Sequence, residues 1–115
     1  SYKLKIDGKK LVIYSAGTFG QQLMNRFLEN KRCNVVGWVD DDYWEYRRCC
    51  MDVDPVESIT GLEFDYILIA TVDKKLAEKI SDRLLDYGVS RNSILTVSCE
   101  ENIREKLLER YLDCK

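Results

Sequence analysis

Leu11-Val-Ile-Tyr-Ser-Ala-Gly-Thr-Phe-Gly20 is the stretch whose reading decides how this chain folds. Its first four residues are apolar strand formers and read as a buried strand. Ser15 to Gly20 follows at once with two glycines. Phe19, Leu23, Phe27 and Leu28 then recur at helical spacing, with Gln, Asn and Arg between them, to an end near Asn30. A strand that runs straight into a glycine-bearing helix start opens a parallel α/β unit.

The rest of the chain continues the alternation. Val35-Val-Gly-Trp-Val39 is a second apolar strand, closed by Asp40-Asp41-Asp42. Tyr43 to Arg48 is too short and too polar for a full crossover helix, and Cys49 to Val53 is expected to form a short third strand. Asp54-Pro55-Val56-Glu57 has the cap, first-turn proline and third-position acid of a helix start, with room for about one turn before Gly61. Asp65 to Thr71 is the strongest central strand. Asp73 caps the next helix, which keeps Leu76, Ile80, Leu84 and Tyr87 on one face and ends at Gly88. Ile94 to Val97 is a last strand. Ser98 and Glu101 then have capping-box spacing, ahead of a helix with Ile103, Leu107, Leu108, Tyr111 and Leu112 on one face.

Strands that are apolar throughout need cover on both faces, which parallel sheets flanked by helices supply. Right-handed crossovers then predict an α/β, Rossmann-like, doubly wound parallel sheet of about five strands in the order 3-2-1-4-5. It is shortened from the full dinucleotide fold, with a loop as its second crossover and no sixth strand.

Composition bounds the function. With 115 residues the chain is expected to be one domain, 1–115, and the lack of an initiator Met suggests a chain processed or excised from a longer protein. The absence of histidine removes serine-protease triads, Cys–His nucleophiles and His-ligated metals. No run approaches ~20 apolar residues and no signal-peptide core is present, so the expected location is cytoplasmic, or the cytosolic face of a membrane-anchored parent. Net charge −2 without a long basic run disfavours nucleic acid. The five cysteines, Cys33, Cys49, Cys50, Cys99 and Cys114, have no CxxC spacing and read as reduced thiols packed as small hydrophobes. A redox or soft-metal role for Cys49-Cys50 is the sharper alternative.

The expected site is the carboxyl end of the first strand, where the sheet order reverses. Ser15-Ala16-Gly17-Thr18-Phe19-Gly20 is a GxGxxG fingerprint with serine in place of the first glycine. Gly17 lets backbone approach a pyrophosphate, Gly20 lets helix and strand pack closely, and the amides of Gly17, Thr18 and Phe19 are placed to donate to anionic oxygens. Asp40, twenty residues after Gly20, stands where a carboxylate accepts from ribose hydroxyls. Asp41 and Asp42 read as solvated turn acids whose charge repels a 2′-phosphate and favours NAD over NADP. Arg47 and Arg48 read as solvated partners of these acids. Thr71 borders the same crevice and serves either a base or ribose or the cap of the following helix. Ser15 costs ~1 kcal/mol or more if the turn needs positive φ, and nothing if φ stays negative. Two readings stay open: a working nucleotide site, and a scaffold whose glycines only permit packing.

Tyr43, Trp44 and Tyr46 form an aromatic cluster in a polar loop. It marks an interface or stacking surface, or else Trp44 folds back over the sheet edge. Tyr111 and Lys115 match the YxxxK spacing of short-chain dehydrogenases, but at the chain end with no substrate domain after them, which makes chance the better account.

Leu11 to Leu23, Val35 to Asp42 and Tyr66-Ile-Leu-Ile-Ala70 together resemble the CoA-binding-like, NAD(P)-binding Rossmann domain of bacterial polysaccharide-biosynthesis proteins. That domain occurs in capsule-type nucleotide-sugar epimerase/dehydratases and some initiating sugar transferases, and the chain is also similar to the N-terminal domain of sugar acyltransferases that bind UDP-sugars. The resemblance runs from about Lys10 to Val97. It implies a nucleotide or nucleotide-sugar ligand (NAD(P), CoA or a UDP-sugar), with no metal. Ser15 to Gly20 would be the phosphate loop and Asp40 the ribose acid, and catalysis would lie in another domain. The implied partners are a nucleotide-type small molecule and either the rest of a longer chain or a homo-oligomer. The alternative is a Rossmann-like interaction module that has lost its ligand.

Overall fold

The computed structural model describes residues 6–30 and 33–97. The helix expected after Ser98, with Cys99, Tyr111, Cys114 and Lys115, lies outside these residues. The described elements, in chain order, are β1 (Lys10–Tyr14), α1 (Thr18–Asn30), β2 (Asn34–Val39), α2 (Tyr43–Arg48), a 3-10 turn (Val56–Gly61), β3 (Tyr66–Ile69), α3 (Lys74–Asp86), a second 3-10 turn (Arg91–Ser93) and β4 (Ile94–Thr96). All strand pairs are parallel, in the order β2-β1-β3-β4. The fold is α/β, a truncated Rossmann-like sheet with helices on both faces.

Alternation along the strands builds the two cores. Leu11 and Ile13 of β1 join Leu68, Ala70 and the α1 residues Phe19, Leu23, Met24 and Phe27. Val12 and Tyr14 turn the other way, to Ile67, Ile69, Val56, Ile59 and the α3 residues Ala77, Ile80 and Leu84. Leu11, Val12 and Ile13 are fully buried, so the central strand is covered on both sides as its apolar run requires.

The third strand is corrected. Cys49 to Val53 makes no ladder, and one parallel bridge, Val39 to Asp54, stands where that strand would pair with β2. The expected order 3-2-1-4-5 therefore holds with its third member reduced to a bridge. The chain reaches it through α2, six residues with none buried. This helix closes in a hydrogen-bonded turn, in which Cys50 N–H donates to the Arg47 carbonyl and Met51 N–H to that of Tyr46. Cys50 takes the left-handed position, φ 64°, that glycine usually fills. At the end of α3 the equivalent residue is Gly88, φ 93°, as expected.

Several side chains depart from the sequence reading. Leu28 and Leu76 lie outside the cores, and Trp44 is 61% exposed instead of folded over the sheet edge. Asp54 does not cap a helix: it sits in the bridge and pairs with Arg47 at 2.7 Å. Arg47 also lies 5.0 Å from the Tyr43 ring centroid, and Arg48 pairs with Glu45, so neither arginine partners Asp41 or Asp42. Asp73 does cap α3, accepting from Lys75 N–H and Leu76 N–H at 3.1 and 3.2 Å.

The cysteines divide. Cys33 is buried, as a small hydrophobe should be, whereas Cys49 and Cys50 are exposed. Burial, with the nearby Asp7 charge, pushes the Cys33 thiol up to about 11 from an ordinary 9.0. The neutral thiol is favoured in the folded state. Its contribution is complete below pH 9 and disappears as pH rises towards 11. A denaturant series from pH 8 to 11 should show stability falling by on the order of 2 kcal/mol more in the native protein than in Cys33→Val. Equal alkaline losses in the two proteins would refute this assignment.

Candidate functional site

The site begins where β1 ends. Ser15 has φ 106°, a conformation suited to glycine, so the turn keeps the geometry of the missing first glycine and the serine bears its strain. Three constraints hold it there. Its N–H donates to the Val39 carbonyl at 2.8 Å. Its own carbonyl accepts from the Trp38 indole Nε1 at 2.9 Å. That same carbonyl lies against Gly20, where an added Cβ would fall inside contact distance. Ser15→Gly is expected to raise stability by ~1 kcal/mol, about 4 °C in melting temperature, after the entropy cost of glycine is deducted. A lower melting temperature would show that the serine side chain stabilises more than its backbone costs.

The remaining loop residues are close together as expected. Ala16 is buried, and its N–H donates to Asp40 Oδ2 at 2.7 Å. Gly17 N–H reaches the Ser15 hydroxyl oxygen at 3.4 Å. Gln21 holds the loop from behind, its backbone N–H on the Gly17 carbonyl and its side-chain Nε2 on the Ala16 carbonyl, both at 2.9 Å. Thr18 opens α1 at the surface, while the Phe19 side chain enters the core. Thr18, the first residue of α1, is exposed, and the dipole of this thirteen-residue helix puts its positive end there. An added Cβ at Gly17 would meet only Ser15 Oγ, at 3.8 Å. The fold itself leaves room for a side chain there.

Asp40 stands beside this loop, with both oxygens engaged by backbone: Oδ2 by Ala16 N–H and Oδ1 by Asp42 N–H at 2.8 Å. Each carboxylate oxygen carries a second lone pair, so acceptor capacity for a hydroxyl remains. Asp41 turns to the opposite face. One oxygen accepts from the Tyr14 hydroxyl at 3.2 Å and the other is paired with the Arg83 guanidinium. Asp41 is exposed, as a turn acid should be, and in addition joins a network that the sequence reading did not include. Thr71 takes up the capping alternative, its Oγ1 accepting from Asp73 N–H at 3.2 Å at the start of α3, and its O–H remains available as a donor.

Sequence reasoning missed Trp38, Tyr14 and Arg83. Tyr14 is 2% exposed and its phenol is held well above its ordinary range, first by burial and then by the Asp41 charge. Arg83 is held in its charged form chiefly by the hydrogen bond to Asp41. The available signals were faint. Tyr14 is the only polar-tipped residue of the β1 apolar run, and Arg83 stands beside the buried Ile80 and Leu84 stripe on α3.

These features define a parallel α/β domain with a fingerprint-type loop at the start of its first helix. The chain belongs to the C2185-like N-terminal family, whose model matches residues 7–95. No curated protein matches it. No helix among the described residues is long and apolar enough to cross a membrane. Among the same residues, no group of three or more His, Cys, Asp or Glu side chains is placed to hold a metal ion.

Proposed function

We propose that this domain binds a nucleotide or nucleotide sugar at the Ser15–Gly20 loop and performs no chemistry of its own. The observation that carries the reading is the Ser15 backbone. A serine kept at φ 106° is a persistent cost, and strain of this kind concentrates at sites where geometry serves a ligand. The room at Gly17 and the outward start of α1 support the same conclusion. In this reading the first-turn amides take phosphate oxygens and Asp40 accepts from a ribose hydroxyl. The ligand classes are NAD, CoA and UDP-sugars. A role in surface-polysaccharide synthesis, in the cytoplasm and beside a catalytic domain, is carried by the sequence resemblance alone. Thermal shifts with NAD, NADP, CoA and UDP-glucose test the binding. Stabilisation by at least one is expected, and none at millimolar concentration would count against the proposal.

A second reading, an interaction module without a ligand, is favoured by one feature. Beside the shortened β2 flank lies a cleft of about 290 Å³, with Met24, Leu28, Val35 and Trp38 on its apolar side and Asp52 and Asp54 at its acidic side. A full second crossover helix would cover this flank in the complete fold. Leu28 and Trp44 are each about 60% exposed. This reading predicts self-association by light scattering, whereas a monomer that binds nucleotide opposes it.

A further inference from the structure

The acids that follow β2 are held from both faces of the sheet. On the α1 face, Asp40 accepts from the loop amide of Ala16. On the α3 face, Asp41 is paired with Arg83 and accepts from Tyr14, the last residue of β1. Arg83 also stands 3.5 Å from the Tyr14 hydroxyl, 3.9 Å from Glu57 Oε1 and 5.8 Å from the Tyr87 ring centroid. Asp40 and Asp41 are adjacent in the chain, so fixing the direction of one limits the other. The turn is short and further closed by Asp42 N–H on Asp40. The turn lies between the Arg83–Asp41 pair on one face and the Ala16–Asp40 hydrogen bond on the other.

Charge adds a second consequence. Asp40, Asp41, Asp42 and Glu57 place four carboxylates near the carboxyl end of β1, where an anionic ligand would arrive. Arg83 meets two of them. Without it the same region would present an uncompensated negative field.

We propose that Arg83 is a positioning residue of the Ser15–Gly20 loop. It holds Asp41, and through the Asp40–Asp42 turn it fixes the Ala16 amide and offsets the charge that a phosphate would meet. The charge half of this proposal rests on the nucleotide reading, and the positioning half does not.

Amide hydrogen exchange, followed residue by residue in the native protein, Arg83→Gln, Arg83→Lys and Asp41→Asn, tests positioning without any ligand. Ala16 and Asp42 should exchange ~10-fold faster in Arg83→Gln and Asp41→Asn, with Leu68 unchanged and Arg83→Lys intermediate. An unchanged Ala16 rate, or a rise that Leu68 shares equally, would overturn it. Titration with NAD, NADP, CoA and UDP-glucose tests the charge half. Arg83→Gln should bind ~10-fold more weakly, and adding Asp41→Asn should recover the charge part of that loss, because the unpaired carboxylate is then gone while the loop stays loosened. A double variant no tighter than Arg83→Gln would overturn the charge role. If the native protein binds none of these compounds, the nucleotide reading fails, and the exchange rates alone decide the positioning claim.

Discussion

Replacing Gly20 with alanine is expected to cost about 3 kcal/mol or more and to leave the protein partly unfolded at 37 °C. The new Cβ would fall inside contact distance of the Ser15 carbonyl oxygen, 3.0 Å from its carbonyl carbon and 3.8 Å from Ala70 Cβ. The obstacle is backbone, which cannot rotate aside as the end of a long side chain can. Relief requires moving α1 off β1 or turning the Ser15 peptide. Moving α1 opens the core around Leu23 and Phe27. Turning the peptide breaks the Trp38 indole bond and disturbs a residue already at φ 106°. Overpacking in cores costs ~1–3 kcal/mol, and an immovable neighbour puts this case at the upper end or beyond. Denaturant unfolding of the variant measures it. A loss below about 1 kcal/mol would mean that helix and strand approach less closely than described.

Gly17→Ala should behave in the opposite way. Its Cβ would make one ordinary contact, so the melting temperature should stay within about 2 °C of the native value. The same methyl would stand at the helix start where a pyrophosphate must approach the backbone. Nucleotide affinity is therefore expected to fall on the order of 100-fold, about 2.7 kcal/mol. Binding and stability separate at this position and coincide at Gly20. Unchanged affinity in Gly17→Ala would place any ligand away from the loop.

Much of this contrast was legible in the residues. β1, the loop, α1, β2 and Asp40 follow in an order that local patterns carry, because apolar runs, helical spacing and glycines are short-range signals. Asp73 and Gly88 were legible for the same reason: caps act within a few residues. The third strand was not. Cys49 to Val53 has mixed polarity, and the closing turn of α2 claims Cys50 and Met51 before a ladder can form. Leu28 matched its helical period but lacks the crossover helix that would cover it, and periodicity cannot report a missing neighbour. Asp41 looked like a solvated acid because its partner Arg83 is 42 positions away. The sequence at Ser15 is compatible with either sign of φ, because the sign is set by packing of the turn against Trp38 and Gly20 and not by local pattern.

The central claim is that the Ser15–Gly20 loop takes the phosphates of a nucleotide. Amide chemical shifts of the native protein, titrated with NAD, CoA and UDP-glucose, test it most directly. The account predicts that at least one compound moves the Ala16–Gly20 and Asp40 amides more than the amides of β4 and α3, and that Gly17→Ala abolishes the response. No shift at millimolar concentration, or shifts confined to the Met24–Trp38 cleft, would contradict it.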